Sequence, residues 1–86
     1  ELTQRARNAE VAANLASNII SRIEVEGIPE VREDSGTFED HPGFEWNLSI
    51  LPYNLSQLEA QINIINVLIS WEEGEESYEI NLAVEG

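Results

Sequence analysis

The side chains that could do chemistry are few. His41 is the only imidazole, and its neighbours Asp40 and Pro42 place it in a loop. A hydrolytic triad needs a nucleophile and an orienting acid around such a base, and no motif supplies them. Cysteine is absent, which removes thiol nucleophiles, thiolate metal sites and a disulfide framework, and metal sites built from His and Cys fail on number alone. No glycine-rich phosphate loop occurs. Oxygen donors, by contrast, are plentiful. Glu72, Glu73, Glu75 and Glu76 form one cluster, and Glu33, Asp34, Glu39 and Asp40 another. Neither has the D-x-D-x-D-G spacing of a calcium loop. Both read first as solvated acidic surface, and weak calcium binding at these acidic loops is the one cofactor reading left open. Asn47-Leu48-Ser49 and Asn54-Leu55-Ser56 match the glycosylation sequon, but the first falls inside an expected strand, so both read as chance matches. No catalytic, cofactor-binding or metal-binding residue is expected, and the chain does not read as an enzyme.

The charge is distributed unevenly. Residues 1–32 hold five acids against all four arginines, whereas residues 33–86 hold twelve acids and no base. The net charge is -13 and lysine is absent. Nucleic acid and anionic lipid both demand basic surface, so neither suits the C-terminal portion. With 86 residues, 42% of them hydrophobic, the chain is one small globular domain, residues 1–86, with a core only just large enough to fold alone. No run approaches the roughly 20 apolar residues of a membrane span.

The elements that position these groups follow from hydrophobic period. Residues 1–26 carry Leu2, Ala6, Ala9, Ala12, Ala13, Ala16, Ile19, Ile20 and Ile23 at three- and four-residue steps, with Val11 and Leu15 widening the stripe; this is the helical period. Gly27 and Pro29 end the helix. Its front half is alanine-rich and polar, and only Leu15–Val25 carries side chains for heavy burial. Residues 28–43 read as a long polar loop, either working or locally structured, with Val31 and Phe38 as candidate pins. Residues 44–86 read as an antiparallel sheet. Phe44, Trp46, Leu48 and Ile50 alternate in a strand ending before Pro52. A turn at Pro52–Asn54 and a helical turn at Ser56–Glu59 follow. Ile65, Val67, Ile69 and Trp71 alternate in a central strand, with Ile62 and Ile64 on the opposite parity suggesting a bulge near Ile64-Ile65. Tyr78, Ile80, Leu82 and Val84 form the last strand, joined to its predecessor by a Gly74 hairpin. The fold class is therefore α+β: a long N-terminal helix packed on a small antiparallel sheet of three to four strands. The front half of the helix is expected to project past that sheet.

This order of elements resembles a type IV pilin-like subunit without its membrane-spanning half. The residues that carry the resemblance are Ala12-Ala13-Asn14-Leu15-Ala16-Ser17-Asn18 in the helix, Gly43-Phe44-Glu45-Trp46 after the loop, and the strands Val67-Leu68-Ile69-Ser70-Trp71 and Tyr78-Glu79-Ile80-Asn81-Leu82. The pattern is most similar to the minor pseudopilin I family of type II secretion systems, and the PilV-type minor pilins of type IV pili share much of it. The prepilin peptidase site and the apolar N-terminal half-helix are not present, and the lack of lysine and the acidic sheet depart from the family. The resemblance implies a truncated pilin-like fold and a structural role in protein export across the outer membrane. It further implies an inner-membrane protein with a periplasmic domain, attached to the membrane only through an N-terminal segment missing here. Partners would be J- and K-type minor pseudopilins at the pseudopilus tip, contacted through the N-terminal helix. Of the family's interface, only the exposed helix positions Arg5, Ala6, Asn8, Ala9, Glu10 and Ala13 carry over.

Overall fold

The computed structural model describes residues 2–30, 32–55 and 60–85. Helix α1 (Leu2–Glu26) is followed by strands β1 (Glu33–Thr37), β2 (Glu45–Leu55), β3 (Ala60–Trp71) and β4 (Glu76–Glu85). The strands form one antiparallel sheet in sequence order, β1-β2-β3-β4. This is the α+β arrangement that the alternating patterns predict: one N-terminal helix packed on a four-stranded antiparallel sheet. Gly27 closes α1 at φ 93°, its N–H donating to the Ile23 carbonyl at 2.8 Å, a left-handed helix ending that a Cβ would disfavour.

The core forms where the helical and strand stripes meet. Ala12, Leu15, Ala16, Ile20 and Ile23 of α1 are buried against Leu48, Ile50, Ile65, Val67, Ile69 and Trp71. Ile65, Val67 and Ile69 are wholly inaccessible, as befits the strand that is central both within the sheet and beneath the helix. Val25, expected to bury with the rest of Leu15–Val25, is 85% exposed. It lies in the last turn, past Ile23, on the side of the helix away from the sheet.

Three local features depart from the sequence reading. The stretch 28–43 is not all loop, because Glu33–Thr37 pairs with Glu45–Ser49 as β1. This strand has no apolar side chain to reveal it. Its place is marked instead by Gly36, whose missing Cβ leaves room for the Trp46 indole directly across the ladder; a Cβ there would lie 2.8 Å from Nε1. Second, β2 does not stop before Pro52 but runs through it, Pro52 facing Asn63 of β3. The ladder with β1 ends at Ser49, so Pro52 lies where β2 is itself an edge, and a missing N–H is tolerated on an edge. Third, β3 carries no bulge at Ile64-Ile65, since its pairing is continuous on both sides. Ile62 and Ile64 therefore stand on the face of the sheet away from the helix. The helical turn expected at Ser56–Glu59 and the pin expected at Val31 lie outside the described residues.

The β3–β4 connection stores strain. Glu72 and Glu73 both take left-handed φ, 54° and 57°, ahead of Gly74 at 89°, while Gly74 and Glu75 donate back to the Trp71 and Glu72 carbonyls at 3.1 Å. A residue with a Cβ costs roughly 1–2 kcal/mol in that region. Glu73→Gly should therefore raise unfolding stability by about 0.5–1 kcal/mol, measured by urea denaturation. In the same assay Ile69→Ala should cost about 2–5 kcal/mol, whereas Val25→Ser should fall within about 0.5 kcal/mol of the parent.

Candidate functional site

Five of the six helix positions implicated by the resemblance, Arg5, Ala6, Asn8, Ala9 and Glu10, precede the part of α1 that is built into the core, and Ala13 lies just inside it. Among the described side chains, the first that is buried is Ala12. Before it, Gln4, Arg5, Ala6, Arg7, Ala9 and Glu10 are exposed and Asn8 is half-buried; Ala13 is half-buried just behind. From Gln4 to Glu10 only Asn8, on the azimuth of the buried stripe, is partly covered, so exposure there is not confined to the outward face. Arg5, Asn8 and Ala9 continue the azimuth of the buried stripe, whereas Ala6, Ala13 and Glu10 lie on one flank. The six thus form a wrapped surface around the shaft rather than a single stripe. Gln4 Nε2 donates to Asn8 Oδ1 at 3.1 Å one turn on, a local bond that stiffens this end.

The composition of this segment favours close approach by another helix. Alanines present almost no side chain to keep two backbones apart, and the arginines and asparagine flanking them can hydrogen-bond across a contact. An interior helix without large aliphatics also gains little from burial within its own domain. Its helical state follows from alanine propensity and from continuity with the anchored half.

The groups considered for chemistry are not brought together. His41 is half-buried rather than free in solvent. Its ring meets Phe44 edge-on at 6.2 Å, and Phe44 stacks on Trp71 at 5.5 Å. Backbone bonds from His41 N to Phe38 O and from Phe44 N to His41 O fold the turn that holds it there. The imidazole thus covers the end of the aromatic stack that closes the core. The two acidic clusters are spread out. Glu33 and Asp34 are consecutive on β1 and so point to opposite faces; Glu39 and Asp40 follow in a turn. Among the described residues no group of three or more His, Asp or Glu side chains converges as a metal site would require.

Among the described residues, two concavities bear on a possible site. One of about 1100 Å3 runs between the C-terminal half of α1 and the segment Phe38–His41, with Trp46 and Leu48 at its floor. The other, about 470 Å3, is a shallow polar hollow on the far face of the sheet, lined by Ser35, Asn47, Ser49 and Asn66. Among the described residues, no hydrogen bond joins a hydroxyl to His41 or to a carboxylate in either of them. Sequence reasoning passed over Leu51 and Tyr53, which are 57% and 51% exposed. The signal that could have found them was the off-parity pair Ile62 and Ile64, their partners across the ladder. No family model, curated protein or solved structure matches the chain.

If the front of α1 carries none of the domain's stability, substitutions there leave the fold intact. Ala6→Glu and Ala9→Arg should each change unfolding free energy by less than about 0.5 kcal/mol. Amide hydrogen exchange should show residues 4–10 opening far more readily than residues 15–23.

Proposed function

We propose that this chain is a structural subunit of a type II secretion pseudopilus: a minor pseudopilin that assembles with J- and K-type minor pseudopilins through the front half of α1. In this reading the domain stands on the periplasmic side of the inner membrane, has no catalytic role, and supports protein export by joining the pseudopilus tip.

The observation that carries the proposal is the change of character along α1. From Ala12 to Ile23 the helix is built into its own core, whereas from Gln4 to Glu10 every side chain is exposed except half-buried Asn8. Twenty-five residues at about 1.5 Å each make roughly 37 Å of helix, and the domain is drawn out to 50 × 23 × 20 Å. A domain of this size gains nothing from so long a shaft unless something else covers it. Small residues flanked by polar ones suit another helix as that cover. A PilV-type minor pilin, which shares much of the sequence pattern, is the alternative assignment, and the identity of the bound partners separates the two.

Mixing the domain with purified J- and K-type soluble domains and passing the mixture over a size-exclusion column tests the reading. A co-eluting complex is expected. Ala9→Arg should abolish it without lowering the melting temperature, because a long side chain holds two helices apart while costing the monomer nothing. Co-elution only with type IV pilus minor pilins would reassign the subunit to that machine, and no shift with either set would sink the proposal. A rise of several degrees in melting temperature on adding calcium would favour an acidic calcium-dependent binding module instead.

A further inference from the structure

The face of the sheet away from α1 is polar over most of its area and apolar at one end. Pairing registers place its residues in rows. Near the Trp71 hairpin the rows read Thr37–Glu45–Ser70–Ser77 and Ser35–Asn47–Leu68–Glu79. Next comes Glu33–Ser49–Asn66–Asn81, in which Asn66 Nδ2 donates to Asn81 Oδ1 at 2.5 Å. Beyond this amide bridge the chemistry changes. Leu51–Ile64–Ala83 and Tyr53–Ile62–Glu85 fill the last two rows. Five apolar side chains from three strands are therefore contiguous, with Leu51 and Tyr53 more than half exposed. A one-sided antiparallel sheet normally alternates to polar residues on its wet face, and a contiguous apolar patch there marks a contact surface.

Charge identifies the occupant. Glu33, Glu45, Glu79 and Glu85 share this face with the patch, and no strand carries a basic residue. The apolar centre is small beside the roughly 800 Å2 per partner of a stable interface, so any partner must also cover the acidic surround. A second copy docked by the same face would set these carboxylates against themselves, and like charges brought together oppose association. We infer that the patch of Leu51, Tyr53, Ile62, Ile64 and Ala83 is a docking surface for a partner protein segment with an aliphatic centre and a Lys- or Arg-rich rim. This surface faces away from α1 and is independent of helix-mediated assembly, so its failure leaves that reading untouched.

Titration of the 15N-labelled domain with a short amphipathic peptide of Leu and Lys tests the inference, using the Leu–Glu peptide of equal length for comparison. The Leu–Lys peptide should shift the amide resonances of residues 51, 53, 62, 64 and 83, and the Leu–Glu peptide should not bind. The double variant Leu51→Ser with Tyr53→Ser should lose at least about tenfold in affinity at an unchanged melting temperature. Glu85→Lys should weaken binding, and so should added salt. Equal binding by the double variant would reduce the effect to general charge attraction and overturn the inference, as would absence of binding or shifts centred elsewhere. Dimerisation of the domain alone, abolished by the double variant, would make a second copy the occupant and equally overturn it.

Discussion

A single helix cannot cover a four-stranded sheet. Strands lie about 4.8 Å apart, so four of them are wider than the roughly 10 Å diameter of one helix with its side chains. The backbone of α1 approaches β3 and β4 and neither β1 nor β2. Everything else in the architecture answers to that choice. Ile65, Val67 and Ile69 become fully buried because β3 lies beneath the helix and between two strands. The concave half over β1 and β2 is left to smaller devices. Trp46 lies across Gly36, and Phe44 stacks on Trp71 with His41 at its edge. Aromatic rings, rather than a second helix, shield that half. The concavity beside α1 is what they leave open.

The same constraint explains where this chain has surface to offer. Among the described side chains the fully buried core begins at Ala12, so residues 4–10 contribute little to it. The sheet's outer face is likewise free of the core, since among the described residues no second layer rests on it. These surfaces differ in chemistry. The helix front has Arg5 and Arg7 among alanines, whereas the strands carry acids only. A partner matched in charge to one would be mismatched to the other.

Much of this was legible in the sequence, and the failures share a cause. Gly27, Pro29 and the helical stripe fixed the extent of α1, and the period-two runs in β2, β3 and β4 fixed three strands, because each signal reports burial of one face. Where burial is not what holds an element, pattern is silent. β1, Glu-Asp-Ser-Gly-Thr, is held by backbone pairing and by the space that Gly36 leaves for an indole. Pro52 reads as a strand end until β1 is seen to stop short of it. The weak front of α1 was visible as an excess of alanine. The patch on the outer face was visible only as a misplaced parity, Ile62 and Ile64, and a bulge accounted for that equally well until Leu51 and Tyr53 were found across the ladder.

That last ambiguity bears on how such a patch persists. A bulge would have turned Ile62 and Ile64 inward and left a conventional polar outer face. The continuous ladder instead keeps Ile65, Val67 and Ile69 in register with the helix, and a one-residue slip would exchange the whole inner set for the outer one. The core thus fixes the register, and the register fixes which face Ile62 and Ile64 occupy. These aliphatics are therefore not a failure of packing at a frayed end. They stand, half-buried, where a well-determined ladder puts them, opposite two further apolar residues contributed by β2. Under the inferred docking, that fixed position is what presents their apolar side chains to a partner.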